Sequence, residues 1–302
     1  MTQQASVVSR TVERPNFVSR HRMTSFFALA FGLSWLAWAP YVLCENGLGI
    51  LHFKFPTVAG SSQLFGVLPG AYLGPILSAF LVTALAEGKP GLRQWAGRLL
   101  RWRVHWGWYV LVLVSVPAVL IITSIPFGGG AGAMHLPPAS VFAAYLPALV
   151  FQLLTTGLAE EPGWRDFALP HLQPRFGPLR GTLILGPLWG AWHLPLFLTD
   201  WAGWPDVNWV MVIEFVASAT AFSVVMTWVF NRTGESLPLA MLLHTSVNNF
   251  FSVAWVAIFP AIDFHHDTTH VLLIASTAVA VVLIAATRGR LGYKPPSVEA
   301  VG

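Results

Sequence analysis

Eight stretches of this sequence are apolar over nearly the length a bilayer demands: about residues 23–44, 64–86, 106–127, 140–161, 181–199, 209–230, 237–260 and 269–287. A helix crosses the hydrocarbon in about 20 residues. No water is there to satisfy a peptide group, so each such segment must form its hydrogen bonds internally, as a helix. Only 10% of the residues are charged and 55% are hydrophobic, where a soluble domain carries about 25% charged. Mean hydropathy is +0.63. These features exclude a soluble globular domain. They predict an all-α fold, a polytopic membrane helical bundle of about eight transmembrane helices, with lipids as its first partner.

The net charge of +4 sits where topology, not nucleic acid, requires it. If the N-terminus is inside, the inner segments hold Arg10, Arg14, Arg20, Arg22, Lys89, Arg93, Arg98, Arg101, Arg103, Arg175, Arg180, Arg232, Arg288, Arg290 and Lys294. That leaves Lys54 outside and Arg165 within a span, while Asp200, Asp206, Asp263 and Asp267 fall in outer loops. Cytoplasmic loops are enriched in Lys and Arg, so both termini are expected in the cytosol; an eight-span count fits the asymmetry and a count of seven would break it. No nucleic-acid partner is expected. The expected location is a membrane, with a bacterial plasma membrane as the working assignment. No cleavable signal is evident, and the single cysteine, Cys44, rules out an internal disulfide.

The expected organisation is a cytosolic tail, 1–22; a first group of helices, 23–138, with a basic amphipathic loop at 88–105; a core, 139–252; an outer loop and last helix, 253–288; and a cytosolic tail, 289–302. Within 88–105, Leu92, Trp95, Leu99 and Trp102 recur at helical spacing between arginines, the pattern of a helix lying on the membrane surface. The fourteen tryptophans suit interfacial anchoring. His265, His266, Asp267 and His270 read as a solvated outer-loop cluster, and Glu214 as an interfacial residue.

Three spans carry polar groups that lipid does not tolerate without a purpose. The fourth ends in Ala159-Glu160-Glu161-Pro162-Gly163-Trp164-Arg165-Asp166. The fifth holds Trp189-Gly190-Ala191-Trp192-His193, and the seventh His244-Thr245-Ser246-Val247-Asn248. A charge at the centre of a membrane helix costs roughly 2.5–3.5 kcal/mol on insertion scales. Residues four apart share a helix face. Glu161 can therefore pair with Arg165, leaving Glu160 about 100° away, and His244 lies one turn from Asn248. A carboxylate beside a histidine can deprotonate a water, while imidazole and amide donors can stabilise an oxyanion. Equally, Glu160, His193 and His244 match the ligand set of a catalytic zinc. The spacing leaves both mechanisms open, with zinc the one cofactor to consider.

The order of these motifs resembles the CPBP family of membrane proteases, which includes the type 2 CAAX-prenyl proteases and the Abi, or bacteriocin-processing, proteins. Its pattern is Glu-Glu-x-x-x-Arg, then an aromatic-x-x-x-His, then His-x-x-x-Asn, here Glu160 to Arg165, Trp189 to His193 and His244 to Asn248. The resemblance covers about 140–252, with a further likeness in the stretch from Gly74 to Arg93. It implies an intramembrane endopeptidase in which Glu160 is the general base and His193 orients the water. His244 and Asn248 form the oxyanion site, and Glu161, Arg165 and Trp189 support them. The family is often labelled as metalloproteases. The implied substrate is a membrane-associated peptide, whether lipidated and CAAX-like or of bacteriocin type. Trp189 stands where phenylalanine is usual, Asp166 where glycine is frequent, and Pro162 follows the paired glutamates and should kink the helix. A non-catalytic membrane factor of the same fold, for self-immunity or scaffolding, is the alternative that Pro162 and Asp166 support. A proton-coupled transporter is a third reading, although no inverted repeat is visible. No His-Glu-x-x-His motif occurs. The site is expected in a water-filled cavity among spans four to seven, opening on the cytosolic side where the fourth span is expected to end.

Overall fold

The computed structural model describes residues 16–58 and 60–295. Most of the predicted cytosolic N-terminal tail, with Arg10 and Arg14, and the end of the C-terminal tail lie outside them. Among the described residues eight helices are long and apolar enough to cross a membrane: α1 Arg22–Leu43, α2 Gln63–Leu99, α3 Gly107–Ser124, α4 Ala139–Phe176, α5 Pro178–Leu198, α6 Trp209–Arg232, α7 Leu237–Ile258 and α8 Phe264–Thr287. The protein is an all-helical integral membrane protein. Among the described residues the only β pairing is two isolated bridges, Cys44 with Leu51 and Val58 with Ser61.

Two boundaries differ from expectation in ways that matter. The fourth span does not end at 161 but runs on to Phe176, so the paired glutamates sit midway along α4. Pro162 cannot donate to Leu158, yet the helix passes through it, because the wider π turns Leu153–Gly157 and Trp164–Ala168 lie on either side. Such turns relieve a local mismatch in the hydrogen-bond ladder. The second span and the basic segment form one helix, bent at Gly88, whose φ of 64° a residue with a Cβ adopts only at a cost. The last helix starts at Phe264, so His265, His266, Asp267 and His270 occupy its first turns rather than a loop. Asp263 caps it, accepting from the backbone N–H groups of His265 and His266 at 3.0 Å each.

Helix α5 packs on α6, α6 on α8, and α7 against α3, α4 and α6. Lipid offers no hydrophobic drive between helices, so close approach of small residues matters most. At Gly163 a Cβ would lie 2.7 Å from the backbone of Pro75, which brings α2 and α4 into contact beside the glutamates. The tryptophans do not all anchor at interfaces. Trp38, Trp164, Trp189, Trp192 and Trp255 are buried in the bundle. Each of these except Trp164 donates its indole N–H to a partner inside it.

Candidate functional site

The three motifs meet. Glu161 is fully buried and lies between two partners: its Oε1 is 2.8 Å from His244 Nδ1, and its Oε2 is 3.5 Å from Arg165 Nε. The expected Glu161–Arg165 pair on one face of α4 is thus present, with His244 of α7 as a third member. Arg165 is also fully buried; it donates to Ser223 Oγ at 3.2 Å and lies over the Trp189 ring at 4.7 Å. A guanidinium held over an indole in a dry site gains from the ring's negative face.

Glu160, one residue earlier, faces the other way. Its Oε2 accepts from Trp189 Nε1 at 2.8 Å and lies 3.9 Å from His193 Nε2. His193 sits where the regular part of α5 gives way to a tighter turn, Leu194–Leu198. Its Nδ1 is 3.0 Å from the Trp189 carbonyl. A carbonyl only accepts, so Nδ1 carries a proton, and Nε2 is the ring nitrogen turned toward Glu160. Trp192, Trp201 and Phe215 enclose the ring, with Trp201 stacked on it at 18°. On α7, Asn248 Nδ2 lies 3.5 Å from His244 Nε2.

Glu160, His193, His244 and Asn248 all line one cavity of about 620 Å³. The rest of the wall is mainly aromatic and aliphatic, from Trp38, Leu64, Val67, Phe151, Trp192, Phe197, Phe222 and Phe251 among others. Val58, Gln63, Phe264 and His265 at its rim are exposed. This corrects the expected direction of opening. The rim belongs to the ends of the helices away from the basic segments, whereas the opening was expected at the end that carries them. The cause is the continuation of α4 past Glu160, which closes the basic end. There Trp95 Nε1 donates to the Pro162 carbonyl at 3.0 Å, and Arg98 pairs with Asp166 at 2.7 Å and Glu235 at 2.8 Å. One face of the basic amphipathic segment is therefore docked on α4.

The zinc reading calls on Glu160, His193 and His244. Among the described residues no three His, Cys, Asp or Glu side chains are grouped so as to hold a metal ion. Each imidazole engages its Nδ1, His244 on Glu161 and His193 on the Trp189 carbonyl, so Nε2 is the ring nitrogen that each would offer to a ligand.

Motif spacing did not reveal three features. Trp189 is a hydrogen-bond donor to Glu160, a role the usual phenylalanine cannot fill. Asp166, 2% exposed, is the partner of Arg98. Trp201 and Phe215 enclose His193 from segments outside every motif. The only hint of these in the sequence was that Trp189 and Asp166 departed from the pattern.

Comparison with known proteins gives two agreeing matches. Residues 142–250 match a family model described as type II CAAX prenyl endopeptidase Rce1-like. The chain is also 23% identical over 215 residues to a CAAX prenyl protease 2 of Methanococcus maripaludis, covering 69% of this chain and 78% of that protein.

Proposed function

We propose that this chain, whose core matches the type 2 CAAX protease family model, is an intramembrane endopeptidase of the CPBP kind that hydrolyses a peptide bond in a membrane-associated peptide by a glutamate-activated water. One observation carries the mechanism: four polar residues from three helices, Glu160, His193, His244 and Asn248, face a single cavity. A gap of 3.9 Å between Glu160 Oε2 and His193 Nε2 suits one water oxygen bonded to both, within the reach general-base catalysis needs. Glu160 takes a proton from that water as its oxygen adds to the peptide carbonyl. The developing oxyanion accepts from the Asn248 amide and from Nε2–H of His244 in its doubly protonated form, whose Nδ1–H is held by Glu161. Glu160 then returns its proton to the leaving nitrogen as the C–N bond breaks.

A largely apolar cavity with no lysine or arginine in its wall suits an uncharged or lipid-bearing segment. Lipidated CAAX-like peptides and unmodified bacteriocin-type precursors are the substrate classes to compare. The two departures that favoured a non-catalytic factor have structural accounts: π turns accommodate Pro162, and Asp166 is paired. Neither displaces Glu160 from the cavity.

The test is cleavage of farnesylated and unmodified membrane peptides by the reconstituted protein. Glu160→Gln and His193→Ala are expected to lose about 10²–10⁴-fold in rate, the share general-base catalysis supplies. Wild-type rates in both variants reject the assignment. Chelation is expected to leave turnover unchanged, and its loss on chelation with recovery on adding zinc would overturn the glutamate mechanism.

A further inference from the structure

We propose that Asp200, outside the cavity and outside every motif, is a positioning residue that clamps the roof of the site and holds His193 in place through Trp201. The inference rests on the hydrolase reading above for its catalytic consequence, but not for the clamp itself.

Asp200 lies just beyond α5, at the start of the 199–208 connection. Its carboxylate gathers three segments. It accepts from the Tyr41 hydroxyl at the end of α1, from Asn46 Nδ2 at 2.9 Å in the loop that follows, and from Ser62 Oγ at 3.0 and 3.1 Å just before α2. Its backbone N–H donates to the Asn46 carbonyl at 2.7 Å. Tyr41 and Ser62 are both buried. One surface carboxylate does not ordinarily collect three side-chain donors from segments up to 159 residues away in sequence. The arrangement has a close-packed neighbour too: at Gly47 a Cβ would stand 2.7 Å from the Leu198 carbonyl, so the 44–49 turn presses directly on the end of α5.

The next residue, Trp201, lines the cavity and stacks on His193, with ring centroids 5.8 Å apart. It also packs edge-on against Phe197 and Phe215. Asp200 does not line the cavity. Its hold on the reaction is therefore indirect. It fixes the backbone that carries Trp201, and Trp201 limits the tilt of the imidazole whose Nε2 faces Glu160. Charge-assisted hydrogen bonds are about twice as strong as neutral ones, which suits a carboxylate at such a junction.

The protein contains its own reporter. Cys44, its single cysteine, is fully buried beneath this roof, with its sulfur 3.4 Å from the Asn46 backbone nitrogen. With Asp200→Ala, maleimide labelling of Cys44 in the full-length protein in detergent is expected to quicken at least about fivefold, as local opening becomes easier. With a cleavable peptide, kcat is expected to fall about tenfold, less than the hundredfold an ångström of misplacement can cost, and KM is expected to change less. Asp200→Asn keeps one acceptor oxygen and should restore most of both. Because Asp200 acts through Trp201, Asp200→Ala combined with Trp201→Ala should lose no more than Trp201→Ala alone. Unchanged Cys44 labelling in Asp200→Ala overturns the clamp. Faster labelling with unchanged kcat, or fully additive losses in the double variant, overturns the link to His193. If the wild type cleaves nothing, or Glu160→Gln cleaves as well as wild type, the hydrolase reading fails on its own, and the Cys44 rates still decide the clamp.

Discussion

Trp189 shows how much chemistry one substitution within a motif can hold. Its ring supports Arg165 from one side, and its N–H reaches Glu160 Oε2 at 2.8 Å. A hydrogen bond to a charged group is worth about 1.5–3 kcal/mol. Trp189→Phe keeps an aromatic surface for Arg165 but removes the donor. We expect thermal stability to fall by about 1.5–3 kcal/mol, the worth of that bond, with the fold intact by circular dichroism. Glu161 is the contrasting case. It touches His244 and Arg165, both buried. Glu161→Ala would leave a buried guanidinium without its carboxylate, a change that costs about 3–5 kcal/mol. Poor expression or a large drop in thermal stability is therefore expected there before any kinetic effect can be read.

At the scale of elements, the seal at the basic end depends on the bent continuation of α2. Among the described residues Arg98 is the only cation bonded to Asp166, and that carboxylate is almost wholly buried. Arg98→Ala should destabilise the protein by about 3 kcal/mol, as expected for breaking a buried pair, whereas Arg93→Ala on the exposed face should be nearly neutral. Thermal unfolding in detergent compares the two directly. The start of α8 has a different dependence. The backbone N–H groups of His266, and then of His265, hold the Asp263 carboxyl below its ordinary value. A depressed carboxyl stabilises the fold above its unfolded pKa, about 3.9, and loses that contribution as pH falls through the folded value. The cap should therefore hold at pH 5 and above and weaken only below about pH 4. Asp263→Ala should cost about 1 kcal/mol at neutral pH, with amide exchange rising first at His265 and His266.

For the whole molecule, the decisive property is which way the cavity faces. The basic segments lie at its closed end and the rim at the other. By the positive-inside rule, we propose that the closed end is cytosolic and that substrate enters from the far leaflet. In a Cys44→Ser background, Thr268→Cys at the mouth should react with an impermeant thiol reagent from the side of Lys54, and Arg93→Cys only from the opposite side. Labelling of both from one side would overturn the orientation. A peptide substrate should protect Thr268→Cys and leave Arg93→Cys unaffected.

The sequence alone determined that eight helices would form, because hydrocarbon leaves the backbone no other partner. It also marked the residues that should gather, since charge at membrane depth needs a reason to be there. Spacing on single helices was enough to pair Glu161 with Arg165 and to put His244 a turn from Asn248. Only the tertiary structure decided which glutamate faces which histidine, that Asp166 answers Arg98, that Trp201 covers His193, and which end of the bundle is open. Those outcomes join residues from helices far apart in the chain. They depend on how far α4 continues past Pro162 and on how closely Gly163 lets it approach α2, neither of which any local periodicity records.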